Sequence, residues 1–269
     1  GENTALLAQM VIRYEDGTEE LFVTDESWSG ADAPVVFAEI YDGEIYDGAK
    51  EIKGWSEAGC TAGQWKPVRK LDYDFSVLTG QGSGKVSLMD EVKPKEIFET
   101  PEGDLVIDFG QNMSALIQVT ATGKKGDVIR LDCFEVLDSK GNVYLDNLRG
   151  AKESLQYTFG EDGTITYRPS FTFMGFRYAK IVSFPGTPEP GNFIAHAIHT
   201  NMERTGFLET SNPDLNQLAH NILWGLKSNF VDVPTDCPQR DERLGWTGDA
   251  EIFCRTACFL ENTYSFYRK

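Results

Sequence analysis

The sequence has no long run of apolar residues. A helix that spans a membrane needs about 20 consecutive apolar residues, and no segment approaches that length, so we predict no membrane partner. Hydrophobic residues make up 41% of the 269 positions and aromatic residues 12%, which is typical of folded proteins and argues against intrinsic disorder. The length allows two or more domains.

Basic residues are scarce. The sequence has 25 Lys and Arg against 42 Asp and Glu, which gives a net charge of −17. Proteins that bind nucleic acid neutralise its phosphates with clustered cations, so we predict no nucleic-acid partner. The excess of carboxylates is typical of an acidic, well-hydrated surface.

Cysteine and histidine are too few and too poorly spaced for a zinc site. No CxxC pair occurs, and Cys254 and Cys258 stand one helical turn apart in a sequence with only 3 histidines. A structural zinc site needs four well-spaced ligands, so we predict no metal and no cofactor. Sparse, odd-numbered thiols favour a reducing compartment, and we expect a cytoplasmic protein rather than a secreted one.

Residues 1–84 contain short apolar runs separated by turn residues. Met10–Tyr14 and Leu21–Thr24 flank Glu15–Thr18, which is a hairpin pattern. We predict an antiparallel β-domain that is incomplete at its start, because residue 1 is glycine and no signal-like segment follows. Its scattered tryptophans are expected to fill the core, although exposed aromatic rings could instead stack on sugars. A glycine-rich linker at 79–84 ends this domain.

Residues 85–200 contain short strand candidates at even spacing, which predicts a second antiparallel β-sandwich-like domain. The candidates are Leu105–Phe109, Leu116–Ala121, Val128–Phe134, Ser154–Phe159 and Tyr178–Val182.

Residues 201–269 change to helical periodicity. Ser211 or Asn212 is expected to cap a helix that runs to about Asn229. A second helix is predicted from Thr247 or Gly248 to the last residues. Because a lone helical hairpin cannot hide both of its apolar faces, we expect the start of a larger, truncated helical domain and self-association through the exposed face.

The residues from Asp232 to Asp249 concentrate charge in a loop between these two helices. They include Asp236, Asp241, Glu242, Asp249, Arg240, Arg243 and Trp246. A crowded carboxyl group can keep its proton near neutral pH and act as a general acid, while ionised neighbours accept hydrogen bonds from sugar hydroxyls. An indole offers an apolar face to a sugar ring. This set predicts glycosidic-bond hydrolysis.

Two other interpretations of the charged loop stay open. Arg240 and Arg243 could simply neutralise Asp241 and Glu242 at the surface, since acidic clusters are often structural. A calcium loop is a minor alternative, because the ligand alternation of a twelve-residue calcium loop is absent.

The segment Asp236–Asp249 resembles the signature of bacterial α-L-rhamnosidases of glycoside hydrolase family seventy-eight. Further similar segments cover nearly the whole chain: Thr24–Trp28, Tyr46–Gly48, Asp108–Asn112, Phe173–Tyr178 and Glu203–Gly206. The resemblance implies a mainly β chain of two antiparallel β-sandwich-like domains, residues 1–84 and 85–200. The first helices of a truncated (α/α)6 toroid would follow at 201–269.

The resemblance also implies inverting hydrolysis of terminal α-L-rhamnosyl groups, with a rhamnose-containing glycoside as the partner. Glu242 matches the general acid, and Trp246 matches an aromatic wall of the pocket. Asp236, Arg240 and Asp249 match residues that hold the rhamnose hydroxyls. Nothing in the sequence matches the general base, so we expect this chain to be inactive by itself.

Two rival functions remain at this stage. One is a non-catalytic carbohydrate-binding β-module with an incomplete helical tail. The other is a related helical-toroid hydrolase that acts on another sugar.

Overall fold

The structure is a computed structural model that describes residues 5–269. The chain divides into two compact units. The smaller unit comprises the residues up to Ala33 together with Lys50–Gly80, and the larger unit comprises Pro34–Ala49 and Gln81–Lys269. The predicted class is confirmed, since the chain is mainly β with three helices near its C-terminus.

In chain order the strands are β1 (Gln9–Arg13), β2 (Glu19–Val23), β3 (Ser29–Gly30), β4 (Val35–Glu39), β5 (Gly43–Asp47), β6 (Lys66–Pro67), β7 (Val86–Val92), β8 (Glu96–Glu99), β9 (Leu105–Gly123), β10 (Val128–Phe134), β11 (Val136–Leu137), β12 (Val143–Tyr144), β13 (Ser154–Thr158), β14 (Gly163–Tyr167), β15 (Met174–Ser183), β16 (Phe193–Thr200), β17 (Phe230–Val231) and β18 (Val233–Pro234). The helices are α1 (Pro213–Asn229), α2 (Thr247–Leu260) and α3 (Tyr264–Arg268).

The smaller unit is built on two short antiparallel pairs. Strands β1 and β2 form the predicted hairpin, which is confirmed, and β3 pairs with β6. Gly17 has a φ of 84° in the hairpin turn, a conformation that favours glycine. No described residue of this unit is buried. The prediction that its tryptophans fill a core is therefore wrong: they are exposed at Trp28, Trp55 and Trp65.

The larger unit contains a ten-stranded sheet with the order β4-β5-β13-β10-β15-β9-β16-β7, and both β8 and β14 also pair with β9. Strands β4 and β5 come from residues 34–49, so this segment belongs to the large sheet; the domain boundary at residue 84 stays a prediction. Strand β9 pairs with β8 and β15 near its start and with β16 and β14 further along. The sheet curls because this one strand exchanges partners along its length.

Strand β9 joins two segments that the sequence predicts as separate strands, Leu105–Phe109 and Leu116–Ala121. The residues between them continue the pairing, with Met113 opposite Phe176 and Ala115 opposite Met174. Gly110, at a φ of 74°, lets the backbone bend between the two halves. Pairing with β15 therefore overrides the local turn signal.

The core of the larger unit consists of alternating residues of the central strands and one helix. Its largest fully buried side chains are Ile107, Met113, Ile117, Ile129, Leu131, Phe134, Leu155, Phe159, Met174, Phe176, Phe193 and Leu226. Burying a side chain of this size contributes about 1.5–3 kcal/mol.

Helix α1 begins and ends where the sequence predicts. Asn212 caps it by accepting a hydrogen bond of 2.9 Å from Asp214 N, and Pro213 occupies the first turn. Ser114 of β9 donates a 2.6 Å hydrogen bond to Ser228 O, which ties the helix to the sheet. None of the described helices is long and apolar enough to cross a membrane.

The prediction of one helix from Thr247 to the last residues is wrong. Helix α2 ends at Leu260, because Glu261 is extended and forms a β-bridge with Arg204. Gly206 packs so closely that a Cβ at this position would lie 1.9 Å from Phe259 O. The Glu203–Gly206 segment therefore closes the end of α2, and the chain resumes helix only at Tyr264.

Candidate active site

The charged stretch of the sequence forms a closed loop between α1 and α2. We call residues 235–245 the motif loop. Thr235 and Gly245 form an isolated antiparallel bridge at its neck, and Trp246 N donates a 3.0 Å hydrogen bond to Pro234 O just outside it. Pro238 lies within the loop, where the missing backbone donor opposes regular structure. The loop predicted between the two helices is confirmed.

The motif loop brings Asp236, Arg240 and Glu242 into contact. Arg240 Nε lies 2.9 Å from Glu242 Oε2 as an ion pair, and its Nη2 lies 3.7 Å from Asp236 Oδ2. Arg149 Nη1 donates a 3.0 Å hydrogen bond to the same Oε2 of Glu242. Glu242 is thus held by two arginines while 24% of its side chain stays accessible.

Asp236 has an unused acceptor. Its side chain is only 9% exposed, and among the described residues its Oδ1 atom has no hydrogen-bond partner. A buried acceptor without a donor costs about 1–3 kcal/mol, and a hydroxyl group of a ligand would satisfy it.

A cavity of about 530 Å³ adjoins this carboxylate. Asp236 and Asp249 supply its charged lining, and its apolar walls include Ile222 and Phe253 from the two facing helices. Asp249 lies in the first turn of α2, where the helix dipole stabilises a negative charge. Two of the predicted site residues therefore share one cavity.

Trp246 lies at the start of α2 rather than in the cavity lining. It is the N-cap residue of that helix and is 44% exposed, while the described residues that line the cavity do not include it. Its indole is accessible for stacking, and it lies three residues before Asp249 at the start of the same helix.

Arg243 is buried, so the alternative that placed it at the surface is wrong for this residue. It is 3% exposed and forms an ion pair with Glu153, which is fully buried. It also donates a 2.7 Å hydrogen bond to Phe173 O, and its guanidinium lies 5.6 Å from the ring centroid of Tyr41. Burial raises the pKa of Glu153, and the charge of Arg243 opposes that increase. Asp241 accepts instead a 3.3 Å hydrogen bond from Gly150 N.

The motif loop packs against the sheet. A Cβ at Gly175 would lie 2.5 Å from the backbone of Pro238, so the loop rests directly on β15. Gly175 N donates a 3.0 Å hydrogen bond to Glu153 Oε2. Gln239 Nε2 donates a 2.6 Å hydrogen bond to Glu135, which also accepts one from Asn112.

The Asp108–Asn112 and Phe173–Tyr178 segments meet in the same support. Arg177 donates two hydrogen bonds of 2.8 Å to the carboxylate of Asp108. Burial raises the pKa of Asp108, but the hydrogen bonds from Arg177 and Gly110 N and the charge of Arg177 outweigh it, so the pKa lies below its ordinary value. These segments act on the site through packing rather than through direct contact with the acid.

Three further residues that contact the motif loop, Arg149, Glu153 and Tyr41, were not predicted from the sequence. Arg149 contacts Glu242 across a separation of 93 residues, and Tyr41 Oη donates a 3.4 Å hydrogen bond to Glu242 O. No spacing rule links positions so far apart. Only the turn signal of Gly150 marks this part of the sequence.

One group of three potential metal ligands occurs among the described residues: Asp236, Cys237 and Glu242, whose donor atoms lie within 4.8 Å of one another. The group fits a metal poorly. Arg240 already supplies positive charge to both carboxylates. Burial and the hydrogen bond with Asp236 raise the pKa of the Cys237 thiol, and a protonated thiol is a weak ligand.

Three family models match successive parts of the chain. They are described as an alpha-L-rhamnosidase N-terminal domain at residues 1–90, a bacterial alpha-L-rhamnosidase concanavalin-like domain at 98–199, and a bacterial alpha-L-rhamnosidase 6 hairpin glycosidase domain at 203–269.

Curated relatives carry the same name. An alpha-L-rhamnosidase of Streptomyces avermitilis is 40% identical over 270 residues, which cover 100% of this chain and 26% of that protein. An alpha-L-rhamnosidase of Alteromonas sp. is 37% identical over 265 residues, which cover 97% of this chain and 29% of that protein. The chain thus spans less than a third of the length of these relatives.

Solved structures agree in fold. The native Aspergillus terreus enzyme of this name superposes with a TM-score of 0.94 at 39% identity, covering 97% of this chain and 30% of that one. The Streptomyces avermitilis enzyme complexed with L-rhamnose superposes with a TM-score of 0.92 at 39% identity, covering 97% of this chain and 26% of that one.

Proposed function

The chain belongs to the bacterial α-L-rhamnosidase family, and we propose that its motif loop is part of an active site that removes terminal α-L-rhamnosyl groups from rhamnosides. The observation that carries the proposal is the contact set of Asp236, Arg240 and Glu242, with the unpartnered Asp236 Oδ1 beside the cavity. A neutral, polyhydroxylated sugar fits this mixture of carboxylates, arginines and apolar wall.

Glu242 is the general acid in this proposal. Its proton passes to the glycosidic oxygen as the bond from that oxygen to the anomeric carbon breaks. A water molecule attacks the anomeric carbon from the opposite face, and a second carboxylate takes the proton of that water. The accessible quarter of the Glu242 side chain gives the leaving oxygen a route to the acid.

The sugar is held by three polar residues and one aromatic residue. Asp236 and Asp249 accept hydrogen bonds from the rhamnose hydroxyls, and Arg240 donates to them while it fixes Asp236. Trp246 offers the apolar wall against which the methyl group of rhamnose packs. A hexose that carries a hydroxymethyl group at that position would be disfavoured there.

The 269-residue chain by itself is proposed to be inactive. An inverting glycosidase needs its second carboxylate about 6.5–9.5 Å from the acid. Asp236 is too close, since its carboxylate lies within 4.8 Å of Glu242, and Asp241 is the immediate neighbour of Glu242. The relatives are more than three times longer, and we assign the base to the part of the protein that corresponds to their additional length.

Release of nitrophenol from an aryl α-L-rhamnoside by the full-length protein tests the reaction. We expect activity in the wild type, a loss of at least about 100-fold in Glu242→Gln, and no change in the matched control Glu102→Gln, whose residue is exposed in a turn. NMR of the first-formed rhamnose tests inversion at the anomeric carbon. An inactive full-length protein would refute the function, and an active 269-residue chain would refute the proposed inactivity.

The exposed tryptophans of the smaller unit favour a second candidate, a non-catalytic carbohydrate-binding surface. Trp55 is 67% exposed, and an accessible indole can stack on a sugar ring. Tryptophan fluorescence during a rhamnose titration distinguishes the two sites. Binding that persists in Trp246→Ala and disappears in Trp55→Ala would place the sugar on the smaller unit.

Self-association of the isolated chain is also proposed. Ile252, Phe259 and Tyr264 are 86%, 55% and 71% exposed on α2 and α3, and such apolar surface favours association. Sedimentation velocity of the 269-residue chain provides the measurement, and a strictly monomeric chain would contradict the proposal.

A further inference from the structure

One short segment of the β-rich part contacts the motif loop repeatedly. We call it the 147–153 segment; its first two residues belong to a 3-10 turn at Asp146–Leu148. Its contacts are the hydrogen bond from Arg149 to Glu242, the hydrogen bond from Gly150 N to Asp241, the ion pair of Glu153 with Arg243, and a carboxylate of Glu135 that accepts hydrogen bonds from both Asn147 and Gln239.

The same segment holds unusual backbone conformations. Among the described residues only three other than glycine have a positive φ, namely Arg149, Glu153 and Asp232. Arg149 has φ 56° and ψ −112°, a combination that is strained for a residue with a side chain. The two strained residues of the segment are the ones whose side chains contact charged groups of the motif loop. Strain of this kind persists where the surrounding structure keeps the backbone in place. In this segment the side chain of Glu153 is fully buried and Leu148 is 2% exposed.

The contact from Arg149 holds one oxygen of the Glu242 carboxylate. Both Arg149 and Arg240 approach Oε2 of Glu242, so the two arginines fix the carboxylate through the same atom. The other groups near Glu242 are Asp236, Cys237, Asp241 and the Tyr41 hydroxyl.

We propose that Arg149 is a positioning residue for Glu242, an inference that rests on the proposed function of the motif loop. It orients the carboxylate of the acid through the hydrogen bond to Oε2. The β-rich part thereby positions the acid of a site whose other proposed residues lie in the motif loop and at the start of α2.

Arg149 can be tested in the full-length protein with one structural and one kinetic measurement. In Arg149→Met we expect the carboxylate of Glu242 to leave its wild-type position in a crystal structure, because the 3.0 Å hydrogen bond to Oε2 is lost. With an aryl α-L-rhamnoside, kcat should fall by about 10-fold or more with little change in KM, since a misplaced acid affects the chemical step rather than the binding of the sugar. Arg149→Lys keeps a cationic donor and should restore part of kcat.

The matched control is Arg130→Met, which removes the same charge from an arginine paired with Asp132 on the sheet. It should leave the position of the Glu242 carboxylate, kcat and KM unchanged. Arg149→Gln replaces the methionine variant if circular dichroism shows that the latter does not fold.

The outcomes separate the two proposals. A displaced Glu242 carboxylate in variants of a full-length protein that does not hydrolyse rhamnosides would support the positioning by Arg149 and refute the proposed reaction. An active protein in which the Glu242 carboxylate and kcat are the same in the wild type, Arg149→Met and Arg149→Gln would refute the positioning and leave the reaction standing.

Discussion

The two units differ in how much of each is buried and in the range of the contacts that stabilise it. In the larger unit the ten-stranded sheet and the helices bury three clusters of apolar residues, whereas no described residue of the smaller unit is buried. The smaller unit relies on local contacts such as the β1–β2 hairpin, and an isolated hairpin is marginally stable in water. The larger unit adds long-range polar contacts, and all of those that hold the motif loop lie within it.

The two units also differ in which residues have a strained backbone. In the smaller unit every described residue with a positive φ is a glycine, including Gly17, Gly54 and Gly63. In the larger unit Arg149 and Glu153 adopt such angles despite their side chains. A packed scaffold can hold strained residues at a functional site, and a unit without a core cannot offset that strain.

The largest loss of folding stability should come from a change in the core of the larger unit. Phe176→Ala removes a fully buried ring that packs edge-on at 5.5 Å from Phe109, and we expect a loss of about 3–5 kcal/mol. Trp55→Ala removes a larger but mostly exposed ring from the smaller unit and should change stability little. Urea denaturation of both variants provides the comparison, and similar losses would contradict the contrast between the units.

Breaking the buried ion pair should have nearly the same effect. Arg243→Met leaves the buried Glu153 without its partner, which costs about 3–5 kcal/mol. The counterpart in the smaller unit is Arg13→Met, which breaks an exposed pair with Glu19 and should be close to neutral. The double variant Glu153→Leu with Arg243→Met should recover part of the loss in denaturation experiments. No recovery would mean that Arg243 acts through its other contacts.

Acid sensitivity should distinguish two aspartates. Because its pKa is lowered in the folded state, Asp108 contributes stability that is present above the unfolded pKa of about 3.9 and is lost as the pH falls through the lower folded value. Asp108→Asn should therefore lose about 2 kcal/mol at pH 7 and converge with the wild type once the pH lies below the lowered folded pKa of Asp108.

Asp25 of the smaller unit provides the control for that experiment. The side-chain and backbone hydrogen bonds from Ser27 also lower its pKa, but the group is fully exposed. We expect Asp25→Asn to follow the wild-type stability at every pH in the same titration. A larger acid effect at Asp25 than at Asp108 would reverse the comparison.

The smallest effect should be an increase in folding stability. Arg149→Gly relieves the strained backbone at φ 56° and should stabilise the chain by about 1 kcal/mol, while the contact with Glu242 is lost. Gly17→Ala in the hairpin turn of the smaller unit should destabilise it, because alanine is strained at a φ of 84°. Thermal unfolding measures both, and a loss of stability in Arg149→Gly would show that the Glu242 contact outweighs the strain.

Local patterns predicted several elements from the sequence alone. The β1–β2 hairpin followed from its turn residues, and helix α1 from a capping asparagine, a first-turn proline and helical spacing. Strand β10 has both of its predicted ends, Val128 and Phe134. In each case the deciding contacts lie within a few residues of one another.

Predictions failed where distant segments decide the outcome. The two strands predicted within β9 are joined by pairing with β15. Helix α2 stops early because the Glu203–Gly206 segment packs against its end. The alternative in which Arg243 neutralises carboxylates at the surface fails because Arg243 is buried and paired with Glu153.

The sequence by itself determined the family, the class of fold and the residue types of the motif loop, because signature residues and local periodicity are written in consecutive positions. Only the tertiary structure decided which charges meet. Arg149 reaches Glu242 and Glu153 reaches Arg243 because the curled sheet carries the 147–153 segment beneath a loop about ninety residues later. Which opposite charges come into contact depends on the path of the backbone, and no spacing in the sequence predicts that path.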